Sequence, residues 1–198
     1  MTRQAFRPAT SFAALAALAL GACSGADAQT APDPAVQQAL DRIAIEDMVV
    51  EYYAHLGGED AGAFDDYFTE DAVFDVNGIV ANGREEIEAL YAGMREEGED
   101  GETATQSDDG GTFRMLLSNP VIEVEGNSAR ASFIWTGIRN TDIGEPPVLV
   151  EQGREFDRLE KVEGEWKFAH RVVIADSGLP EGQYETWTPR ADFGLDDL

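Results

Sequence analysis

The stretch EQGREFDRLEKVEGEWKFAHRVVIAD (Glu151–Asp176) holds two runs in which bulky apolar residues alternate with charged ones, hinged on EGE. Such alternation is the mark of antiparallel strands with one face turned to a core. With a two-residue turn between Val162 and Glu165, Leu159 faces Phe168, Asp157 faces His170 and Glu155 faces Val172. One face then carries Trp166, Phe168, His170, Val172 and Ile174, and the other Lys167, Arg171, Arg154 and Arg158. The aromatic face is expected to be concave, because helices must cover something apolar.

Two further strand-like runs precede this hairpin, Thr112–Glu125 and Ser128–Asn140, joined by an EGN turn signal. Helical periodicity dominates the region before them. From Ala35 to Leu56, the residues Ile45, Met48, Val49, Tyr52 and Leu56 share one face, and Gly57-Gly58 stops the helix. AGAFDDYF (residues 61–68) reads as a second short helix burying Phe64, Tyr67 and Phe68. A strand follows at Ala72–Val76, then a very short one in NGIVANG, then a third helix from Gly83 to Met94 with Glu85 and Glu86 in its first turn. Residues 98–111 lack periodicity and read as a loop. Helices first and an antiparallel sheet last give an α+β fold, a curved sheet with three helices on one face enclosing a pocket.

The N-terminal residues read as an export signal. Arg3 and Arg7 precede an apolar run, Ser11–Ala22, too short to span a bilayer as a mature helix. Leu20-Gly21-Ala22-Cys23 resembles a bacterial lipobox ending at a lipidated cysteine; Ala26-Asp27-Ala28 offers an ordinary cleavage site instead. Lipidation is favoured, since Cys23 is the only cysteine of the chain and stands where lipidation needs it. The expected organisation is a signal peptide over 1–22, a tether over 23–34, the domain over 35–176 and an irregular tail over 177–198 packed on it. Membrane contact would come only through the lipid at Cys23. A formal charge of −25 repels phosphate backbones, so no nucleic-acid partner is expected.

Candidate chemistry centres on Asp157 and His170, since a carboxylate beside an imidazole orients it and makes it more basic. Glu155 and Glu151 continue the row of Asp157. Tyr52, His55, Asp75, Met115, Trp166 and Phe168 are the expected pocket residues. His55 lies on the flank of its helix's apolar stripe, where a single hydrogen bond at the core edge is the plainer role. No metal is expected: two distant histidines make no ligand set, and residues 98–111 lack the ordered acids of a calcium loop. Neither G-x-G-x-x-G, P-loop nor nucleophile elbow is present, so no cofactor is expected.

IAIEDMVVEYYAHL (43–56), FDDYFTEDAVFDVNG (64–78), GREEIEALY (83–91), SNPVIEVEGNSARASF (118–133) and GEWKFAHRVV (164–173) together resemble the SnoaL-like branch of the nuclear transport factor 2-like superfamily, over about Ala39–Asp176. The resemblance implies an α+β cone with an apolar pocket, usually dimerising through the outer face of the sheet. Its members include dehydratases, isomerases, cyclases and hydrolases beside non-catalytic subunits, so fold does not decide function. Dehydratase-like relatives carry an aspartate where this chain has Gly57 and a histidine where it has Met115. That dyad cannot be carried over. The expectation is an exported protein with a pocket for a small apolar ligand. The alternatives are an acid–base enzyme using Asp157 and His170 on a cyclic or aromatic substrate, and a non-catalytic dimeric scaffold.

Overall fold

A computed structural model describes residues 32–55, 64, 66–100, 112–179 and 187–198, with 94–100 as backbone alone. Residues 1–31, with the expected signal peptide, lipobox and most of the tether, lie outside the described residues.

Helix α1 runs Pro34–His55. Its start follows capping chemistry: the Asp33 carboxylate accepts from the Ala35 N–H at 2.8 Å, and Pro34, lacking an N–H, occupies the first turn. Ile45, Val49, Tyr52 and Tyr53 are its buried apolar positions. Strands β1 (Phe68–Val76) and β2 (Ile79–Asn82) form a hairpin around Asn77-Gly78, at φ 52° and 84°. Positive φ at both central residues matches the twist of the strands, which is why Asn-Gly sits there. Helix α2 spans Gly83–Asp100, and the Glu86 carboxylate accepts from the Asn82 N–H at its entrance. Strands β3 (Thr112–Glu125), β4 (Ser128–Asn140), β5 (Val148–Val162) and β6 (Glu165–Ser177) complete the domain.

The six strands form one sheet in the order β2-β1-β6-β5-β4-β3, antiparallel except for the β1–β6 pair. Helix α1 packs on β3, and α2 on β1, both against the inner face. The α+β architecture is as expected, with two corrections. Only two α-helices occur among the described residues: Phe64, Asp66 and Tyr67 have 3-10 geometry, and Phe68 already opens β1. Helix α2 also continues beyond Met94 to Asp100.

The β5–β6 hairpin has the predicted turn at Glu163-Gly164, and Leu159 faces Phe168 as expected. Then the register slips. Arg158 faces His170 and Asp157 faces Arg171, with Ala169 the extra residue of a β-bulge. Because side chains alternate with period two, one inserted residue exchanges the faces of everything beyond it. Trp166 and Phe168 therefore join the inner core while Val172 and Ile174 lie in a separate outer cluster. The expected continuous aromatic face is broken at Ala169.

Outer residues Phe156, Val172 and Ile174 are covered by Trp187, Phe193, Leu195 and Leu198 of the C-terminal segment. Trp187 donates to the Ala175 carbonyl at 3.0 Å, and Arg154 donates to the carbonyls of Arg190 and Phe193 while gripping Asp176 through two nitrogens. Within residues 187–198 the segment is irregular apart from a 3-10 turn at Leu195–Asp197.

Close packing on the inner face depends on Gly153, whose neighbour across the strands is Trp135. A Cβ at this position would collide with the Trp135 ring and the Ile174 carbonyl. Gly153→Ala is accordingly expected to destabilise the fold by about 1–3 kcal/mol, the usual cost of overpacking. Urea unfolding measures this, and Trp135→Leu in the same chain should recover part of the loss.

Candidate functional site

The inner row of β5 carries Asp157, Glu155, Gly153 and Glu151, each facing a core-side residue of β4: Ala131, Phe133, Trp135 and Gly137. Across the other edge, Asp157 meets Arg171 of β6. Asp157, Glu155 and Arg171 are all 0% exposed, enclosed by rings. The Arg171 guanidinium lies 4.3 Å from the Tyr52 ring centroid and 4.2 Å from that of Phe168. Tyr53 is a third aromatic neighbour.

Hydrogen bonds link these groups to α1. Arg171 Nη2 donates to Glu155 Oε2 at 2.5 Å and approaches the Tyr53 hydroxyl at 3.0 Å. Tyr53 also donates to Glu155, while Tyr52 pairs with the Tyr91 hydroxyl of α2. Asp157 differs. Its nearest charge is Arg171 Nη1 at 3.7 Å, and neither of its oxygens has a hydrogen-bond partner among the described residues. Glu155 Oε1, Arg171 Nε and Nη1, and Trp135 Nε1 are buried and unpartnered in the same sense. Such groups are uncommon in cores, and each costs about 1–3 kcal/mol when left unmet.

One guanidinium balances one carboxylate, and Glu155 holds it by a charge-assisted bond. Burial pushes the Asp157 carboxyl well above the usual range, and the adjacent Glu155 charge adds to this against the pull of Arg171. The uncharged form of Asp157 is thereby favoured, and in that form it can donate one proton. Burial also raises Tyr52 and Tyr53, so both keep their hydroxyl protons. Nearer the end of the row, Glu151 is raised by burial against the influence of Arg139, and meets Phe113 over Gly137.

Asp157 and His170 are not brought together. His170 is half-buried on the outer face, with its protonation disfavoured by burial and by Arg158 and Arg190, against which Asp75 acts. Asp75 is likewise no pocket residue: it accepts from the Gly78 N–H at 2.9 Å and from Arg190 at 3.0 Å beneath the C-terminal segment. The bulge at Ala169 explains both outcomes on β6. Trp166 is inside but engaged, donating to Asp41, which also binds Lys161. His55 Nδ1 pairs with the Tyr67 hydroxyl at 2.8 Å. Tyr52 and Phe168 flank the buried charge cluster, and Met115 packs against the inner core opposite Gly137. Gly57 lies outside the described residues.

Sequence reasoning missed Arg171 by setting it on the outer face. A usable signal existed: two acids on one inner row require a cation, and Arg171 stands on the adjoining strand β6. Among the described residues no cluster of acids, histidines or cysteines is arranged to hold a metal. No helix there is long and apolar enough to cross a membrane.

Residues 37–172 match the SnoaL-like domain. The chain belongs to the SnoaL-like family. Among solved structures this SnoaL-like chain is similar to a candidate scytalone dehydratase from Novosphingobium aromaticivorans, with 21% identity over 81% of this chain and 99% of that one, at a TM-score of 0.60. An NTF2-like protein with a cystatin-like fold from the same organism shows 20% identity over 78% and 94%, at 0.57. A protein of unknown function from Nostoc punctiforme shows 21% identity over 72% and 96%, at 0.58. At these identities the likeness is one of fold. No curated protein matches the chain.

The upward shift of the Asp157 carboxyl has a thermodynamic signature. A carboxyl raised in the fold favours the folded state below its unfolded pKa, and that contribution is lost as pH climbs toward its folded value. Asp157→Asn mimics the neutral acid and removes this loss. Its melting temperature should exceed that of the parent at pH 8, with the margin shrinking toward pH 4. The opposite trend would mean a charged Asp157. Arg171→Met, which strands Glu155 without a counter-ion, should cost about 3–5 kcal/mol. Adding Glu155→Leu should restore much of it, as read in a double-mutant cycle of denaturant unfolding.

Proposed function

We propose that this SnoaL-like chain binds a small, mostly apolar molecule carrying a carbonyl or hydroxyl oxygen inside the cone, and that Asp157 is the acid that acts on that oxygen. One observation carries the reading: a fully buried carboxyl with both oxygens unpartnered stands beside open donors of Arg171, in an aromatic setting. Arg171 Nη1 and the protonated Asp157 can donate to a single acceptor, since they lie 3.7 Å apart. Tyr52 and Phe168 supply the apolar contact. The absence of the relatives' acid and histidine, replaced by Gly57 and Met115, supports acid catalysis from the β5 row over chemistry by their dyad.

A structural reading is favoured by the continuous Tyr53–Glu155–Arg171 network, which ties α1 to the sheet without any ligand. Asp157 distinguishes the two, because it takes no part in that network. The test uses a bicyclic aryl ketone and the matching phenol as probes, followed by Trp fluorescence and thermal shift. The expected result is saturable binding with a rise of several degrees in melting temperature, and, in D2O, faster deuterium exchange at the ketone's α-carbon, in which the acid donates to the carbonyl oxygen while solvent takes the α-proton; Asp157→Asn abolishes it with binding retained. Exchange unaffected by Asp157→Asn would remove catalysis, and no binding by either probe would remove the pocket.

Export is part of the same proposal, supported by Arg3, Arg7, the apolar run Ser11–Ala22 and the lipobox-like Leu20–Cys23. Intact-mass measurement of the processed chain separates a lipidated Cys23 from cleavage after Ala28.

A further inference from the structure

The chain has three tryptophans, and two of their indole N–H groups are engaged: Trp166 donates to Asp41 and Trp187 to the Ala175 carbonyl. Trp135 is only 4% exposed, yet its Nε1 has no acceptor among the described residues. A buried donor in that state weakens the fold unless some other group accepts from it. Trp135 stands on the inner face of β4 opposite Gly153, and its indole leans across the strand pair. A Cβ at Gly153 would collide with Cε2 and Cζ2 of this ring, and Cε2 is bonded to Nε1. The nitrogen-bearing edge of the indole therefore lies over the β5 row, in the gap that Gly153 leaves between Glu151 and Glu155. From there Glu155 is a diagonal neighbour, about 7–8 Å away and within reach of long side chains.

Glu155 offers the matching group. Its Oε2 accepts from Arg171 and Tyr53, while its Oε1 is buried without a partner among the described residues. The indole N–H and this carboxylate oxygen do not bond each other. One free donor and one free acceptor thus stand on neighbouring steps of a single row. A hydroxyl satisfies both, accepting from Trp135 Nε1 and donating to Glu155 Oε1. A carbonyl would leave the carboxylate oxygen unmet, and an ammonium would leave the indole unmet. Asp157, the proposed acid, is two residues further along β5 on the same face, a step of about 7 Å.

We infer that Trp135 and Glu155 form a second polar subsite, which binds a hydroxyl on the far side of the ligand's ring, about 7 Å from the oxygen held by Asp157 and Arg171. The inference rests on the inner site proposed for this chain and narrows its ligand class to aryl ketones that carry a ring hydroxyl across from the carbonyl. Trp135 acts there as a specificity residue: it selects the ligand and takes no part in moving a proton.

Calorimetric titration of the full chain with 1-tetralone, 6-hydroxy-1-tetralone and 6-methoxy-1-tetralone tests the subsite, since the 6-position lies across the ring system from the carbonyl. The hydroxy ketone should bind about tenfold or more tightly than 1-tetralone, as a hydrogen bond to a charged group contributes. The methoxy ketone should lose that gain, having no proton for Glu155 Oε1. Trp135→Phe keeps a ring over Gly153 but removes the N–H, and should cut the advantage of the hydroxy ketone over 1-tetralone. An NMR readout in the unsubstituted chain does not depend on how that variant folds: the Trp135 indole N–H resonance should move further downfield with the hydroxy ketone than with 1-tetralone. Equal affinity for these two ketones, the result expected if a fixed water already meets both atoms, would overturn the subsite and leave the site at Asp157 standing. So would a hydroxyl gain that Trp135→Phe retains, or an indole resonance indifferent to the hydroxyl. If none of the three ketones binds, the pocket itself fails and the subsite fails with it.

Discussion

A guanidinium with no exposure to solvent is the constraint around which this domain is organised. Arg171 can be held in the core only because a carboxylate, a phenol and two ring faces surround it together. Taking a charge out of water costs several kcal/mol, and the cost is offset when a counter-ion and hydrogen bonds replace the hydration shell. Tyr53 comes from α1, Glu155 from β5 and Arg171 from β6, so satisfying the charge also fixes the helix on the sheet. With one cation already matched to Glu155, the adjacent Asp157 is left without an ion to balance it. Burial is the main cause of its upward shift, and the Glu155 charge adds to it.

The bulge at Ala169 is the local device that makes this possible. Without it Arg171 would point outward beside Lys167, and His170 would enter a core that offers it Asp157. With it, Trp166 and Phe168 stay inside, Arg171 follows them, and Val172 and Ile174 turn to the opposite side. Both faces of β6 then need cover. The inner face has the helices, and the outer face has Trp187, Phe193, Leu195 and Leu198, stitched down through Arg154 and through Arg190 on Asp75. The C-terminal segment is therefore part of the fold, because the inserted residue aims apolar side chains at it.

A shared fold leaves function to the few polar groups placed on it. In this chain the acids of the inner face lie along β5, from Glu151 past Gly153 to Glu155 and Asp157, with Glu151 packed over Gly137 across the strand pair. No histidine stands on this inner face among the described residues. The two histidines serve elsewhere, His55 against Tyr67 and His170 beneath the C-terminal segment.

Much of the architecture was legible in the residue order. The period of α1, the Asn77-Gly78 and Glu163-Gly164 turns, the strand spans and the inward row Glu151–Glu155–Asp157 all follow from local rules of spacing and turn chemistry. What sequence reasoning could not supply was the partner of Asp157. Register beyond a turn is set by how both faces pack, and a small residue such as Ala169 can be inserted at little local cost, so nothing nearby announces the slip. The tertiary structure alone decided that Arg171, not His170, stands in the core, because only there do a cation, two carboxylates and their aromatic walls meet.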